Sequence, residues 1–313
     1  MKVRGSADPP MPPKPSITQV HAVFKRLRYD MPGHTGKGVK AMKQRTITAA
    51  ILASVAIALL AIGGVVLAAA IVAIICFAVY EEYSALEKAG HHPLAWPTWA
   101  GMVLSVPLLA LGGAKLLIPV AIAVALVTVA CIVFRREPKL EDVLYSLLPF
   151  VSLVLPGMAM LALTGIQPKS VQLTYLCLMI AIPSVGDIFA LYVGSTLRGP
   201  KLCPAVSPNK TISGAVGGLV GSLLTALLVG VIAYLLAVKS RMYLPSWGDY
   251  VLLGLIGGAA GQIGDLFASM IKRHCGIKDF SNLFPGHGGM LDRLDSVIFM
   301  AVIVFCYRML NVL

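Results

Sequence analysis

From Ile47 to the last residue the sequence runs in long apolar blocks parted by short polar stretches, and this sets the fold class before any motif is considered. A block such as Ile47 to Tyr80 has neither the 3.6-residue period of a helix with one wet face nor the alternation of a half-buried strand. In lipid every backbone N–H and C=O must be satisfied within the segment, so uninterrupted apolar runs of this length read as membrane-spanning helices. Of 313 residues, 58% are hydrophobic and 13% charged, where an ordinary soluble domain has about a quarter charged. The blocks recur to the end, which excludes a secreted protein with one cleavable signal.

The expected fold is all-α, a polytopic integral membrane protein of about nine transmembrane helices. Their expected limits are 46–62, 65–87, 96–112, 115–134, 142–164, 170–197, 212–238, 248–271 and 290–312. The first boundary is placed at Gly63-Gly64, because one helix through both blocks would overshoot the bilayer. Three regions follow. Residues 1–44 form a basic, Pro- and Gly-containing leader expected to be disordered, 45–183 hold the N-terminal helices, and 184–313 hold the helices with the most polar loops.

The net charge of +12 suggests a nucleic-acid binder, but ten of the 26 Lys and Arg lie before Thr46, where anionic lipid headgroups are the expected partner and nucleic acid is not. With the leader inside, 21 basic residues fall on cytoplasmic segments and 5 on the other side, the asymmetry of the positive-inside rule. This orientation puts the polar loops 198–211 and 272–289 in the cytoplasm, where nucleotides are. Six cysteines form no CxxC and have no zinc-spaced His neighbours, so they are expected to be reduced and structural.

Only 14 acidic residues exist. Asp8, Asp30, Glu81, Glu82, Glu87, Glu137, Glu141 and Asp142 fall in the leader or at helix ends, where solvated or headgroup positions explain them, and Asp249 begins a span. Asp187, Asp265, Asp279, Asp292 and Asp295 are harder to dismiss. Asp187 lies about ten residues from the inner end of its helix, roughly 15 Å deep, and Asp265 about six, roughly 9 Å. A carboxylate at such depth costs at least ~2.5 kcal/mol and is expected to face a polar cavity. Asp292 and Asp295, spaced i, i+3, share a helix face.

Carboxylates converging beside basic loops suit Mg²⁺, which takes one or two carboxylates plus substrate phosphates. Ser207-Pro208-Asn209-Lys210-Thr211, ahead of a helix, offers a cation, hydroxyls and backbone N–H groups. Pro285-Gly286-His287-Gly288-Gly289 is a loop whose glycines admit close approach of a ligand.

The stretch from Ser269 to Asp295, with Ser269, Lys272-Arg273, Lys278-Asp279, Pro285, His287-Gly288-Gly289, Asp292-Arg293 and Asp295, resembles the pattern of phosphatidate cytidylyltransferases and fills each of its fixed positions. Gly264-Asp265-Leu266 and Lys201-Leu202 through Ser207 to Thr211 resemble two further elements of that family. Asp187-Ile188-Phe189-Ala190 is similar to a third, with Ile188 in place of a small hydroxyl residue and Leu191 in place of an aromatic one. The resemblance implies a catalytic role for 184–313 in Mg²⁺-dependent transfer of a cytidylyl group from CTP to phosphatidic acid. It implies a homodimer in the cell membrane with the site on its cytoplasmic side, and leaves open a monovalent cation such as K⁺. Metal ligation falls on Asp265 and Asp292, with Asp187 and Asp295 as further pocket carboxylates. Lys210, Lys272, Arg273 and Lys278 are expected on phosphates, beside Ser207, Thr211, Asp279, Gly288 and Gly289, while His287 and Arg293 order the loop or a leaving-group oxygen. Two rival readings stay open: a CTP-dependent transferase acting on another lipid phosphate, and a transporter, which also carries intramembrane carboxylates and Pro-interrupted helices.

Overall fold

The apolar blocks fold into helices whose breaks fall where glycine and proline place them. The computed structural model describes residues 36–236, 238–284 and 288–311. Helix α1 is Gly36–Ile62 and α2 is Gly64–Lys88. Between them Gly63 and Gly64 have φ of 67° and 55°, a left-handed conformation that only glycine adopts readily, so the break expected there is present. Helix α1 begins ten residues before the expected 46. Its first turns contain Lys, Ala, Met, Gln and Arg, all good helix formers, so the basic charge of this stretch is carried on a helix. The rest of the expected leader, 1–35, lies outside the described residues.

Helix α3 (Trp96–Gly112) passes through a 3₁₀ turn (Gly113–Leu116) into α4 (Leu117–Val133). Helices α5 (Leu140–Pro149) and α6 (Leu155–Leu163) form one rod joined by a π turn (Phe150–Val154). Pro149 and Pro156 flank that turn; neither ring nitrogen can donate to the helical ladder, and the wider turn absorbs the mismatch. Helices α7 (Lys169–Leu197), α8 (Ile212–Leu236), α9 (Trp247–His274) and α10 (Leu291–Leu310) complete the order. Ser246 and Asp249 form a capping box at the start of α9, which accounts for an acid at that helix end.

Among the described residues, five stretches are long and apolar enough to cross a membrane: α2, the α5–α6 rod, α7, α8 and α9. Side chains such as Leu111 and Phe134 are 84% and 87% exposed, as lipid-facing residues of an all-α membrane protein are. The expectation of loops alone between spans needs one correction. Residues Lys201–Cys203 (β1) and Ser207–Thr211 (β2) pair as a short antiparallel hairpin. The six cysteines are free thiols.

Small residues set the packing of the C-terminal helices. A methyl group on Gly194 of α7 would meet the backbone of Gly214 on α8 at 3.2 Å, so these helices touch main chain to main chain. A methyl on Gly264 of α9 would run into the main-chain oxygen of Asp295 on α10. That contact levels the two helices. Helix α9 continues ten residues beyond Gly264, about 15 Å, whereas α10 begins only four residues before Asp295, about 6 Å. The segment between them therefore descends about 9 Å into the bundle before α10 starts.

Candidate active site

The start of α10, at the foot of this descent, borders the site. A cavity of about 600 Å³ lies among α7, β2, α8, α9 and the start of α10. Asp187, Lys210, Thr211, Asp265, Asp292, Arg293 and Asp295 all line it. Helix α9 runs to His274, three residues past its expected end, so Asp265 is nine residues from the helix end, about 14 Å, level with Asp187 on α7.

Each carboxylate has a distinct partner. Asp265 is paired with Lys210, which the hairpin carries to the mouth of the cavity. Ser296 Oγ lies 3.2 Å from an oxygen of Asp187 and 3.2 Å from one of Asp295, so its single proton serves one at a time. Asp292 accepts from Lys272 Nζ at 2.7 Å on one oxygen, and on the other from the amides of Phe280 and Gly289, both at 2.9 Å. It is thereby the first-turn acid of α10, and the descending segment is wrapped around it. Side-chain direction explains the partnership with Lys272. Helical side chains lean toward the N-terminus, so Lys272 on α9 points down to where α10 begins.

Lys272 is 8% exposed, with its ammonium 5.5 Å from the Phe280 ring, and does not line the cavity. Arg273 is turned to backbone: its guanidinium donates to the carbonyl oxygens of Val206 in the hairpin and Ile277 beyond α9, at 3.4 and 3.2 Å. Ser207, Lys278, Asp279, Gly288 and Gly289 lie outside the cavity lining, with Lys278 and Asp279 exposed. Thr211 caps α8, its hydroxyl accepting the Gly214 amide at 3.1 Å. Gly288 has φ of 81°, and a methyl group there would sit 2.7 Å from Asp292 Oδ2. His287 lies outside the described residues.

Two residues assigned to solvated helix ends are buried instead. Glu81, 5% exposed near the end of α2, accepts from Ser281 Oγ at 2.6 Å and from the amides of Met290 and Leu291 at 3.0 and 2.8 Å. It anchors the segment that Asp292 organises from the other side. Glu82 is fully buried and takes the Ser152 hydroxyl, presented by the π turn, at 2.9 Å. It shares a narrow, water-sized cavity with Asp295. The sequence signal for both was an adjacent acidic pair ending an apolar run, which headgroup exposure explains equally well. Sequence analysis did not single out the lining residues Gly194, Ser195, Gly214, Ala215 and Gln262; the amide nitrogen of Gln262 donates to the Ala215 carbonyl at 3.0 Å.

Among the described residues no three His, Cys, Asp or Glu side chains are grouped as a metal cage. The donors nonetheless fit a Mg²⁺ that keeps waters and takes one or two carboxylates plus substrate phosphates. Three of the roughly four lone-pair sites on Asp292 are occupied, which leaves one, and Asp265 has a cation as its partner, an arrangement that a metal ion can replace.

Comparison with known proteins agrees with these motifs. The family model described as the cytidylyltransferase family matches residues 43–311. A phosphatidate cytidylyltransferase of Brucella abortus biovar 1 (strain 9-941) is 33% identical over 270 residues, covering 85% of this chain and 93% of its own. One from Synechocystis sp. (strain ATCC 27184 / PCC 6803 / Kazusa) is 33% identical over 297 residues, covering 85% and 96%. One from Bacillus subtilis (strain 168) is 38% identical over 141 residues, 44% and 48% of the two chains. With the match running through nearly all the described helices and every motif of the site, the chain belongs to the cytidylyltransferase family, a family of nucleotidyltransferases.

Proposed function

We propose that the protein transfers the cytidylyl group of CTP to phosphatidic acid, forming CDP-diacylglycerol and pyrophosphate. The observation that carries this reading is the single cavity in which Asp187, Asp265, Asp292 and Asp295 meet Lys210 and Arg293, in a chain whose relatives are named for that activity. The membrane is crossed nine times, by the five long apolar stretches together with α1, α3, α4 and α10. The excess of basic residues on one set of loops supports a cytoplasmic site in the inner membrane. Family membership supports a homodimer.

An oxygen of the lipid phosphate attacks the α-phosphorus of CTP, the bond from that phosphorus to the bridging oxygen breaks, and pyrophosphate leaves. No side-chain nucleophile is needed, because an ionised phosphate monoester is already nucleophilic. Asp265 and Asp292 would hold Mg²⁺, which when bound neutralises phosphate charge. Lys210 exchanges its contact with Asp265 for the nucleotide phosphates. Arg293 lines both the main cavity and a second one of about 330 Å³, which Asp187, Asp295 and Ser296 border together with Ile188, Leu191 and Val297. In that position it orients the lipid phosphate, while acyl chains run out along the exposed Ile188 and Leu191. Asp187, Asp295 and Ser296 keep the wall beneath it polar. Alignment and charge neutralisation then carry the reaction.

The test is pyrophosphate release by purified protein in detergent, supplied with CTP, Mg²⁺ and phosphatidic acid, beside an Asp265→Asn control. Release that needs all three and is lost in the variant supports the reading. Release with a polyprenyl phosphate but not with phosphatidic acid would replace the acceptor and keep the chemistry.

A further inference from the structure

A cavity of about 690 Å³ lies far from the carboxylates. Its walls include Ala68 of α2, Val106 and Leu109 of α3, Leu161 of α6, and Phe305 and Arg308 of α10. Two helices measure its distance from the site independently. Arg308 follows Asp292 by 16 residues on α10, about 24 Å, and Ala68 precedes Glu81 by 13 on α2, about 20 Å. The cavity therefore belongs to the opposite leaflet.

Its lining is apolar apart from the turn after α6 and one cation. Arg308 sits two residues before the end of α10, partly exposed. Among the described residues no carboxylate pairs with it and no hydrogen bond is made by its guanidinium; its one partner is the Tyr175 ring, 5.9 Å from the guanidinium carbon. A guanidinium near a membrane interface calls for an anion or water, and its planar fork matches phosphate. The volume lies in the range of about 300–1,000 Å³ typical of ligand sites.

We propose that this cavity binds an anionic phospholipid of the leaflet opposite the active site, its phosphate on Arg308 and an acyl chain between α2, α3, α6 and α10. The charge of Arg308 selects the headgroup and the apolar walls hold the chain. The occupant links α10 and α2, the two helices whose other ends meet at Glu81 and Leu291, and so braces the elements that carry the site.

The experiment is thermal unfolding of the full-length protein in a neutral detergent, titrated with phosphatidylglycerol or phosphatidylcholine. Phosphatidylglycerol is anionic but is not the phosphate monoester consumed in the proposed reaction. The expected result is a saturable rise of about 3 °C or more with phosphatidylglycerol and no comparable rise with phosphatidylcholine. Arg308→Gln removes that difference, and Asp265→Asn keeps it. A filling variant, Val106→Phe, serves as a second probe should Arg308→Gln not fold, and removes the rise with Arg308 intact. Equal shifts with both lipids, a rise that persists in Arg308→Gln or Val106→Phe, or a rise lost in Asp265→Asn would each overturn the proposal.

Discussion

Glu81 Oε2 lies 2.8 Å from the amide nitrogen of Leu291, so a carboxylate from the second helix caps the last one across 210 positions of sequence. Together with the bonds from Ser281 and Met290, this contact ties the descending segment to the N-terminal half of the bundle. Helix α10 has no side-chain cap at Met290, so the start of the helix that carries Asp292, Arg293 and Asp295 is satisfied from elsewhere in the fold.

Replacing Glu81 tests this anchor. Glu81→Ala strands buried donors, and hydrogen bonds to a charged group contribute about 1.5–3 kcal/mol each. The expected outcome is a loss of about 2–4 kcal/mol in stability together with a fall in turnover, while Glu81→Gln, which keeps one acceptor oxygen, loses less of both. Thermal unfolding and pyrophosphate release on the same preparations measure the two effects. An unchanged melting temperature in Glu81→Ala would contradict the anchoring role.

The Lys272–Asp292 pair is buried, and breaking it from one side leaves an unpaired charge. Lys272→Met is expected to cost about 3–5 kcal/mol. The double variant Lys272→Met, Asp292→Asn should recover much of that stability without recovering activity. A double-mutant cycle in unfolding, read beside turnover, separates the structural from the chemical role of Asp292.

Lys210 stands at the cavity mouth on a hairpin and is free to move from Asp265 to a phosphate. Its removal should lower kcat by about 10²–10³-fold, on the scale of about 2.7–4 kcal/mol for a contact made mainly in the transition state. Stability should change little, because the pair is partly exposed. Steady-state kinetics of Lys210→Ala with near-normal turnover would remove the residue from the site.

Gly264 fixes the level of α9 against α10. A methyl group there collides with the Asp295 main chain and comes within 2.7 Å of the Phe299 ring. Gly264→Ala should cost about 1–3 kcal/mol through overpacking and reduce activity further than that loss explains, because Asp265 and Asp295 move apart. Activity compared with folded fraction at a temperature well below unfolding checks this.

Chelation of divalent ions should abolish pyrophosphate release, and added Mg²⁺ should restore it. Asp265→Asn is expected to raise the Mg²⁺ concentration needed for half-maximal rate in whatever activity survives. A titration that superimposes on that of the unsubstituted protein would take Asp265 out of the metal's surroundings.

Much of this architecture was legible in the sequence because membrane helices satisfy their own backbones. The apolar runs and the Gly63-Gly64 break needed no knowledge of neighbours, and helix ends came within a few residues except at α1, where good helix formers extend the helix back to Gly36. The carboxylates of the site were legible because an acid inside an apolar block has few explanations. Glu81 and Glu82 were not, since an acid at the end of a span is equally at home in water, and only packing decides. Ser296 and Gln262 carry no charge and left no signal.

By itself the sequence determined an all-α chain, where its helices break, and which motifs stand near one another along it. The tertiary structure alone decided that the segment before α10 descends into the bundle, that Lys272 serves Asp292, and that an acid from α2 caps the final helix. The first set depends on local hydrogen bonding and on transfer of side chains into lipid, both properties of a few adjacent residues. The second depends on how closely glycine lets helices approach, and on which buried donor meets which buried acceptor across a long sequence separation.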